Sequence, residues 1–134
     1  MSSQEWSRYM RDEIGLPMTP EEISDEVVAR ISARYREDLP LIPGAVEAVR
    51  RMAAVWPLGL DSSANRALTD LFLELSELAD AFETVHSSEE VGRGKPAPDV
   101  YLAAAEGLGV DPRRCAAVED PATGFARRPA RGCA

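Results

Sequence analysis

The sequence has few of the residues on which many enzyme mechanisms depend. It contains one histidine, His86, and two cysteines, Cys115 and Cys133, among 134 residues. A single histidine excludes motifs such as His-Glu-x-x-His and leaves no adjacent base for an activated serine. Because the cysteines do not form a Cys-x-x-Cys pair, we expect both to be reduced structural thiols. Any chemistry must therefore rest on carboxylates, hydroxyl groups and lysine.

Long apolar runs and an excess of positive charge are also missing. No uninterrupted apolar stretch approaches the ~18 residues that a membrane span needs, and the first residues are too polar for a signal peptide. The formal net charge of −8 would repel a nucleic-acid backbone. We therefore expect a cytoplasmic protein with neither a membrane nor a nucleic acid as partner. The hydrophobic fraction of 45% is enough for one folded core.

The chain shows two different sequence patterns, one after the other. Residues 1–40 carry helical signals, since apolar residues recur at helical spacing and Thr19 with Glu22 forms a capping-box pattern. Farther along, short apolar runs alternate with helical segments, at residues 57–60, 82–85 and 115–118. This alternation predicts an α/β fold with a parallel sheet and crossover helices. In such sheets, chemistry collects just past the carboxyl ends of the strands.

Polar residues follow the first and third apolar runs, where this rule places functional groups. Ser62 and Ser63 follow the first run, where the start of a helix offers an anion site, although serines there can also serve only as helix caps. Glu119 and Asp120 follow the third run, and two adjacent carboxylates suit a hard cation such as Mg²⁺. The alternative for the pair is an acidic loop that begins a helix. Lys95, the single lysine, lies in Gly-Lys-Pro, where it is either a phosphate clamp or a solvated loop residue.

The order of these motifs resembles the second, third and fourth motifs of the haloacid dehalogenase superfamily, in its β-phosphoglucomutase and phosphoglycolate-phosphatase-like branch. The similarity runs from about Leu41 to the C terminus and is most specific in RGKPAPDVYLAAAEGLGVDPRRCAAVEDPATG. It implies that Ser62 hydrogen-bonds the transferring phosphoryl group and that Lys95 holds that phosphate and the nucleophile. It also implies that Asp120, with Glu119, serves Mg²⁺ directly or through water.

The resemblance also implies an architecture and a substrate class. Residues 41–134 would form an incomplete Rossmann-like core with a parallel sheet, and residues 1–40 would be part of the α-helical cap that closes over substrate. The expected activity is hydrolysis of a phosphate monoester on a small phosphorylated metabolite. A nucleotide-binding domain of the doubly wound type is the weaker reading, because the glycine-rich loop expected after the first strand is absent.

The first motif of the family, Asp-x-Asp-Gly-Thr, has no counterpart, because no Asp-x-Asp occurs anywhere in the sequence. That motif supplies the nucleophile on a central strand, so we expect a truncated chain with little or no turnover. The C terminus is also atypical, since Pro129 falls inside an expected helix, which is consistent with a shifted reading frame. The alternative is a non-catalytic remnant that binds phosphate or depends on a partner. Unpaired sheet edges would then favour self-association.

Overall fold

The computed structural model describes residues 3–87, 90 and 98–119 of the protein. Within these ranges the chain forms five α-helices and two β-strands: α1 Ser3–Asp12, α2 Pro20–Glu37, α3 Ala45–Ala53, β1 Gly59–Ser62, α4 Arg66–Leu75, β2 Thr84–Ser87 and α5 Asp99–Gly107. Two short 3-10 helices, Ala79–Ala81 and Pro112–Arg114, precede β2 and follow α5. The predicted succession of helices and strands is thus confirmed up to α5.

The predicted capping box starts α2. The N–H of Glu22 donates to Thr19 Oγ1 at 3.2 Å, and the N–H of Thr19 donates to the Glu22 carboxylate at 2.8 Å. Helix α2 packs against both α1 and α4, and the rings of Tyr35 and Phe72 meet edge to face with centroids 6.1 Å apart. The helical first part of the chain therefore rests on the same α4 helix that follows β1.

The two strands form a parallel pair joined by α4 as the crossover. Gly59 lies opposite Thr84, and Ser62 lies opposite Ser87 at the carboxyl end. Helix α5 packs across both strands, and this contact is close, because a Cβ at Gly59 would lie 3.3 Å from Ala104 Cβ. The α/β fold with a parallel sheet is confirmed, with each strand ending two residues later than the apolar run predicted.

The prediction of a third strand at residues 115–118 is wrong. Residues 115–119 have no regular secondary structure, and Val118 is 84% exposed. A strand needs a neighbouring edge for its backbone hydrogen bonds, and within the described ranges β1 pairs with β2 alone. A short apolar run that finds no such edge keeps its backbone in water, because hydration is then the available way to satisfy its polar groups.

The buried apolar residues lie on α2, α4 and α5 and in the turn after α4. They are Ile23, Leu68, Leu73, Leu78, Val100, Ala104 and Ala105. Helix α3 contributes no buried residue, and the segment around it exposes Ile42, Val55 and Trp56. Exposed apolar residues therefore flank α3 on both sides in the sequence. None of the helices in the described ranges is long and apolar enough to cross a membrane.

Candidate functional site

Ser62 is the last residue of β1, at the carboxyl end of the sheet. Its Oγ accepts the N–H of Ala64 at 3.0 Å. A serine hydroxyl has one hydrogen and two acceptor lone pairs, so this bond occupies a lone pair and does not use the hydrogen. Ser62 can therefore still donate to an anion placed past the strand end. Ser63 follows directly and is partly buried.

The cap of α4 is Asn65 and neither of the two serines. Its side-chain oxygen accepts the N–H of Ala67 at 2.9 Å, which is the usual geometry of an N-cap. The alternative that Ser62 and Ser63 serve as the cap of this helix is therefore wrong. Because the Asn65 side chain accepts an N–H group of the first turn of α4, the helix begins after Asn65. The two serines therefore lie in the turn between β1 and α4.

Ser87 ends β2 beside Ser62. The two serines are register partners, and Ser87 is fully buried. Its Oγ donates to the carbonyl oxygen of Ala64 at 2.8 Å, across 23 residues of sequence. The turn after β1 is thus hydrogen-bonded to the end of the neighbouring strand.

Glu90 joins the end of β2 to the start of α4. One carboxylate oxygen accepts the N–H of Ser87 at 2.9 Å, and the other accepts Arg66 Nη1 at 3.0 Å. The pKa of Glu90 lies below its ordinary value, mainly because the Ser87 N–H donates a hydrogen bond to the carboxylate. The contact with Arg66 lowers this pKa by a smaller amount. The Ser87-x-x-Glu90 spacing matches a capping-box pattern, and this is the signal in the sequence from which the contact could have been predicted.

Glu119, the first residue of the predicted metal pair, is held by a residue that the sequence analysis gave no role. The phenol of Tyr101, on α5, donates to Glu119 Oε1. Carboxylate oxygens are the ligands that Mg²⁺ prefers, so the donor type fits this ion. Among the described residues, no group of three or more His, Cys, Asp or Glu side chains could hold a metal ion.

Lys95 and Asp120 lie outside the described residues. Their convergence with Ser62 on one site therefore stays a prediction, as does the pairing of Asp120 with Glu119. What the described residues bring together is the Ser62 turn, Ser87 and Glu90.

Comparison with known proteins gives a consistent set of relatives. The family model described as haloacid dehalogenase-like hydrolase matches residues 3–125. Hexitol phosphatase B of Escherichia coli (strain K12) is 37% identical over 106 residues, which are 78% of this chain and 48% of that protein. Protein CbbY of Rhodobacter capsulatus is 34% identical over 131 residues, which are 91% of this chain and 57% of that protein. The chain thus spans about half the length of these curated relatives.

A solved structure is also similar. The crystal structure of a HAD family hydrolase from Deinococcus radiodurans R1, with bound phosphate and sodium, matches with a TM-score of 0.54 and 30% identity. The match covers 93% of this chain and 67% of that one. It therefore includes the helical first part as well as the sheet.

Proposed function

The chain belongs to the haloacid dehalogenase-like hydrolase family, and on that premise we propose that it carries the phosphate-binding part of a phosphohydrolase site. The reaction is hydrolysis of a phosphate monoester on a small phosphorylated metabolite. This chain by itself turns such a substrate over weakly or not at all. Its relatives support a phosphate ester as substrate, because two named above are a hexitol phosphatase and a hydrolase solved with bound phosphate.

The geometry of Ser62 is the observation that carries the proposal. Its hydroxyl lies at the carboxyl end of a parallel strand, where ligands bind in α/β sheets. The bond from the Ala64 N–H fixes the oxygen and leaves the hydroxyl hydrogen for an acceptor. A phosphate oxygen is such an acceptor, and a donor already in place needs little reorganisation when charge develops on it.

Lys95 and the acidic pair would complete the site. The ammonium group of Lys95 neutralises charge on the phosphate, as a compact point charge does. Glu119 and Asp120 would hold Mg²⁺, which, when bound, neutralises charge that develops during phosphoryl transfer. Tyr101 restrains the Glu119 carboxylate by hydrogen-bonding one of its oxygens.

Weak turnover is expected because no nucleophile accompanies these groups. The sequence holds no Asp-x-Asp pair, the feature that its resemblance to the family requires for covalent catalysis. Serine, lysine and carboxylates can bind and polarise a phosphate ester, but positioning without a strong nucleophile leaves the displacement slow.

The test measures turnover and binding on the same protein. Purified chain with Mg²⁺ and p-nitrophenyl phosphate should release little product, while inorganic phosphate should bind in calorimetry. Lys95→Ala and Ser62→Ala should each weaken phosphate binding. Arg51→Ala removes one positive charge from an exposed position on α3 and should leave phosphate binding unchanged.

Two results would count against the proposal. Robust hydrolysis that Lys95→Ala abolishes would contradict weak turnover. Phosphate affinity that is absent, or equal in wild type and Lys95→Ala, would contradict the phosphate site.

A second candidate is a module that depends on a partner chain. It is favoured by exposed apolar surface, since Val55, Trp56 and Val118 are each more than half exposed. Within the described ranges β1 is also paired on one side alone, and an unpaired edge can accept another strand. Co-purification of a second polypeptide with the untagged chain, together with Mg²⁺-dependent turnover by the complex, would support this candidate. A monomer that binds phosphate by itself would contradict it.

A further inference from the structure

Helix α3 is, within the described ranges, the one α-helix that has no buried residue. Exposed apolar residues lie before and after it in the sequence: Ile42 is 77% exposed, Val55 64% and Trp56 61%. Met52, on α3 itself, is 37% exposed. Exposed apolar residues grouped on one short segment indicate a surface that another protein covers.

The residues in and around α3 are arranged symmetrically about Val49. Ile42 lies three residues before the helix and Trp56 three residues after it. Glu47 and Arg51 lie two residues on either side of Val49. A twofold axis that relates two antiparallel copies of a helix places each residue beside the mirrored position of the other copy. An axis at Val49 therefore brings Ile42 beside Trp56 of the second copy. It also brings Glu47 beside Arg51 of the second copy.

The apolar and the charged residues can face a second copy together. Ala48, Met52 and Val55 are separated by four and three residues, so they lie along one face of the helix. Val55 keeps this spacing although it follows the end of α3, because its N–H donates to the Met52 carbonyl oxygen at 3.0 Å. Glu47 and Arg51 each precede a residue of this face by one position and are four apart. They therefore form a stripe beside the apolar face.

The distribution of charge favours a second copy as the occupant. The chain has a formal net charge of −8, so two copies repel each other over most of their surfaces. Residues 41–60 instead hold one acidic residue, Glu47, and two basic residues, Arg50 and Arg51. Arg50 lies 3.5 Å from the Glu77 carboxylate. Neither Glu47 nor Arg51 has an ion-pair partner in the part of the chain that the structure describes, so both charges are available to a second copy.

We propose that α3 is a self-association surface on which a second copy of this chain packs antiparallel, with the twofold axis at Val49. Glu47 of each copy pairs with Arg51 of the other, and Trp56 of each copy packs against Ile42 of the other. Helix α3 has nine residues and is about 14 Å long, so the contact is smaller than a standard protein–protein interface. The dimer is therefore weak and reversible.

Reversing the charges tests the register of the two helices. Sedimentation velocity over a series of protein concentrations measures the dissociation constant of the dimer. Glu47→Arg, or Arg51→Glu, replaces two attractive pairs across the axis by two repulsive ones, so this constant should rise by roughly 2- to 30-fold. The double variant Glu47→Arg, Arg51→Glu restores both pairs with the charges exchanged. Its dissociation constant should return close to that of the wild type.

A matched variant separates the pairing from the effect of net charge. Glu106→Arg changes the net charge as much as Glu47→Arg does, at an exposed position on α5. A less negative chain repels its copy less, so Glu106→Arg should leave the dimer as strong as before or slightly stronger. Glu47→Arg should weaken the dimer in spite of the same change in net charge. Circular dichroism checks that each variant is folded.

A disulfide measures the same register without changing any charge. Packed helix axes lie about 8–10 Å apart, and each Cα lies about 2.3 Å from its axis. The two copies of residue 48 are offset by about 3 Å along the helices, so their Cα atoms lie roughly 5–6 Å apart, which a disulfide can span. Ala48→Cys in a Cys115→Ser, Cys133→Ser background should form a linked dimer on mild oxidation. Ala54→Cys, at an exposed position of the same segment, should not, because its two copies are offset by about 15 Å.

Three results would overturn the proposal. The first is a chain that stays monomeric over the whole concentration series, and the second is equal cross-linking at positions 48 and 54. The third is a dimer that neither charge reversal weakens, which would point to another surface such as the edge of β1. If a reversal variant does not fold, the two cysteine variants decide. Phosphate binding is tested separately, because none of these variants changes Ser62 or Ala64.

Discussion

Gly107→Ala should weaken the packing of α5 on the sheet. A Cβ at residue 107 would lie 2.6 Å from Thr84 Oγ1 and 3.1 Å from Thr84 Cβ. The first distance is too short for a carbon–oxygen contact, so the Thr84 side chain must move. However, Thr84 Oγ1 lies 2.7 Å from His86 Nε2, and rotation away from the new methyl group would break that hydrogen bond.

The size of the effect follows from three contributions. Loss of the hydrogen bond costs about 1 kcal/mol, and overpacking at a tight contact costs roughly 1–3 kcal/mol. Alanine is favoured over glycine inside a helix by up to about 1 kcal/mol, but Gly107 is the last residue of α5, where the gain is smaller. We expect the free energy of unfolding to fall by about 1–4 kcal/mol.

Urea unfolding followed by circular dichroism measures this change. With a slope of about 1–3 kcal/mol per molar urea, the midpoint should drop by roughly 0.3–4 M. The companion variant Thr84→Ala removes Oγ1, so the cost of Gly107→Ala should be clearly smaller in the Thr84→Ala background. A stabilising Gly107→Ala, or an equal cost in both backgrounds, would refute the packing argument.

Three further outcomes are expected. The pKa of Glu90 is lower in the folded protein than its ordinary value of 4.5, so the ionised carboxylate stabilises the fold above about pH 4.5. This stabilisation is lost as the pH falls through the lower pKa of the folded state. Glu90→Gln should therefore lower the melting temperature at about pH 6 but not at about pH 3; an equal loss at both would contradict this. Asn65→Ala should cost about 1 kcal/mol in urea unfolding because it removes the cap of α4, and an unchanged midpoint would contradict it. The exposed apolar surface around Trp56 should make the sedimentation coefficient rise with concentration, whereas Trp56→Gln should reduce the rise; a constant coefficient would contradict this.

Local signals explain what the sequence could predict. The capping box at Thr19 and Glu22 depends on residues three apart, and both of its hydrogen bonds are present. Helical spacing likewise predicts helices over residues 45–54, 64–75 and 99–108, and the bounds of α3, α4 and α5 lie within two residues of these. These features are set by neighbours in the chain, so one sequence is sufficient to find them.

Nonlocal contacts explain what the sequence could not predict. Whether residues 115–118 become a strand depends on an edge to pair with, which a short apolar run does not reveal. The choice of Asn65 over Ser62 or Ser63 as helix cap depends on where β1 ends. The bond from Ser87 to Ala64 joins residues 23 apart, and only the register of the sheet brings them together. Lys95 and Asp120 lie outside the described residues, so their roles stay predictions.

A crystal structure of the protein grown with Mg²⁺ and tungstate, a tetrahedral oxyanion like phosphate, decides whether Ser62, Lys95 and Asp120 share one site. If these residues share one site, Ser62 Oγ and Lys95 Nζ should each lie within about 3.2 Å of the same tungstate ion, and Asp120 should contact the adjacent cation. Lys95 and Ser62 on opposite sides of the molecule, or tungstate bound away from both, would contradict it.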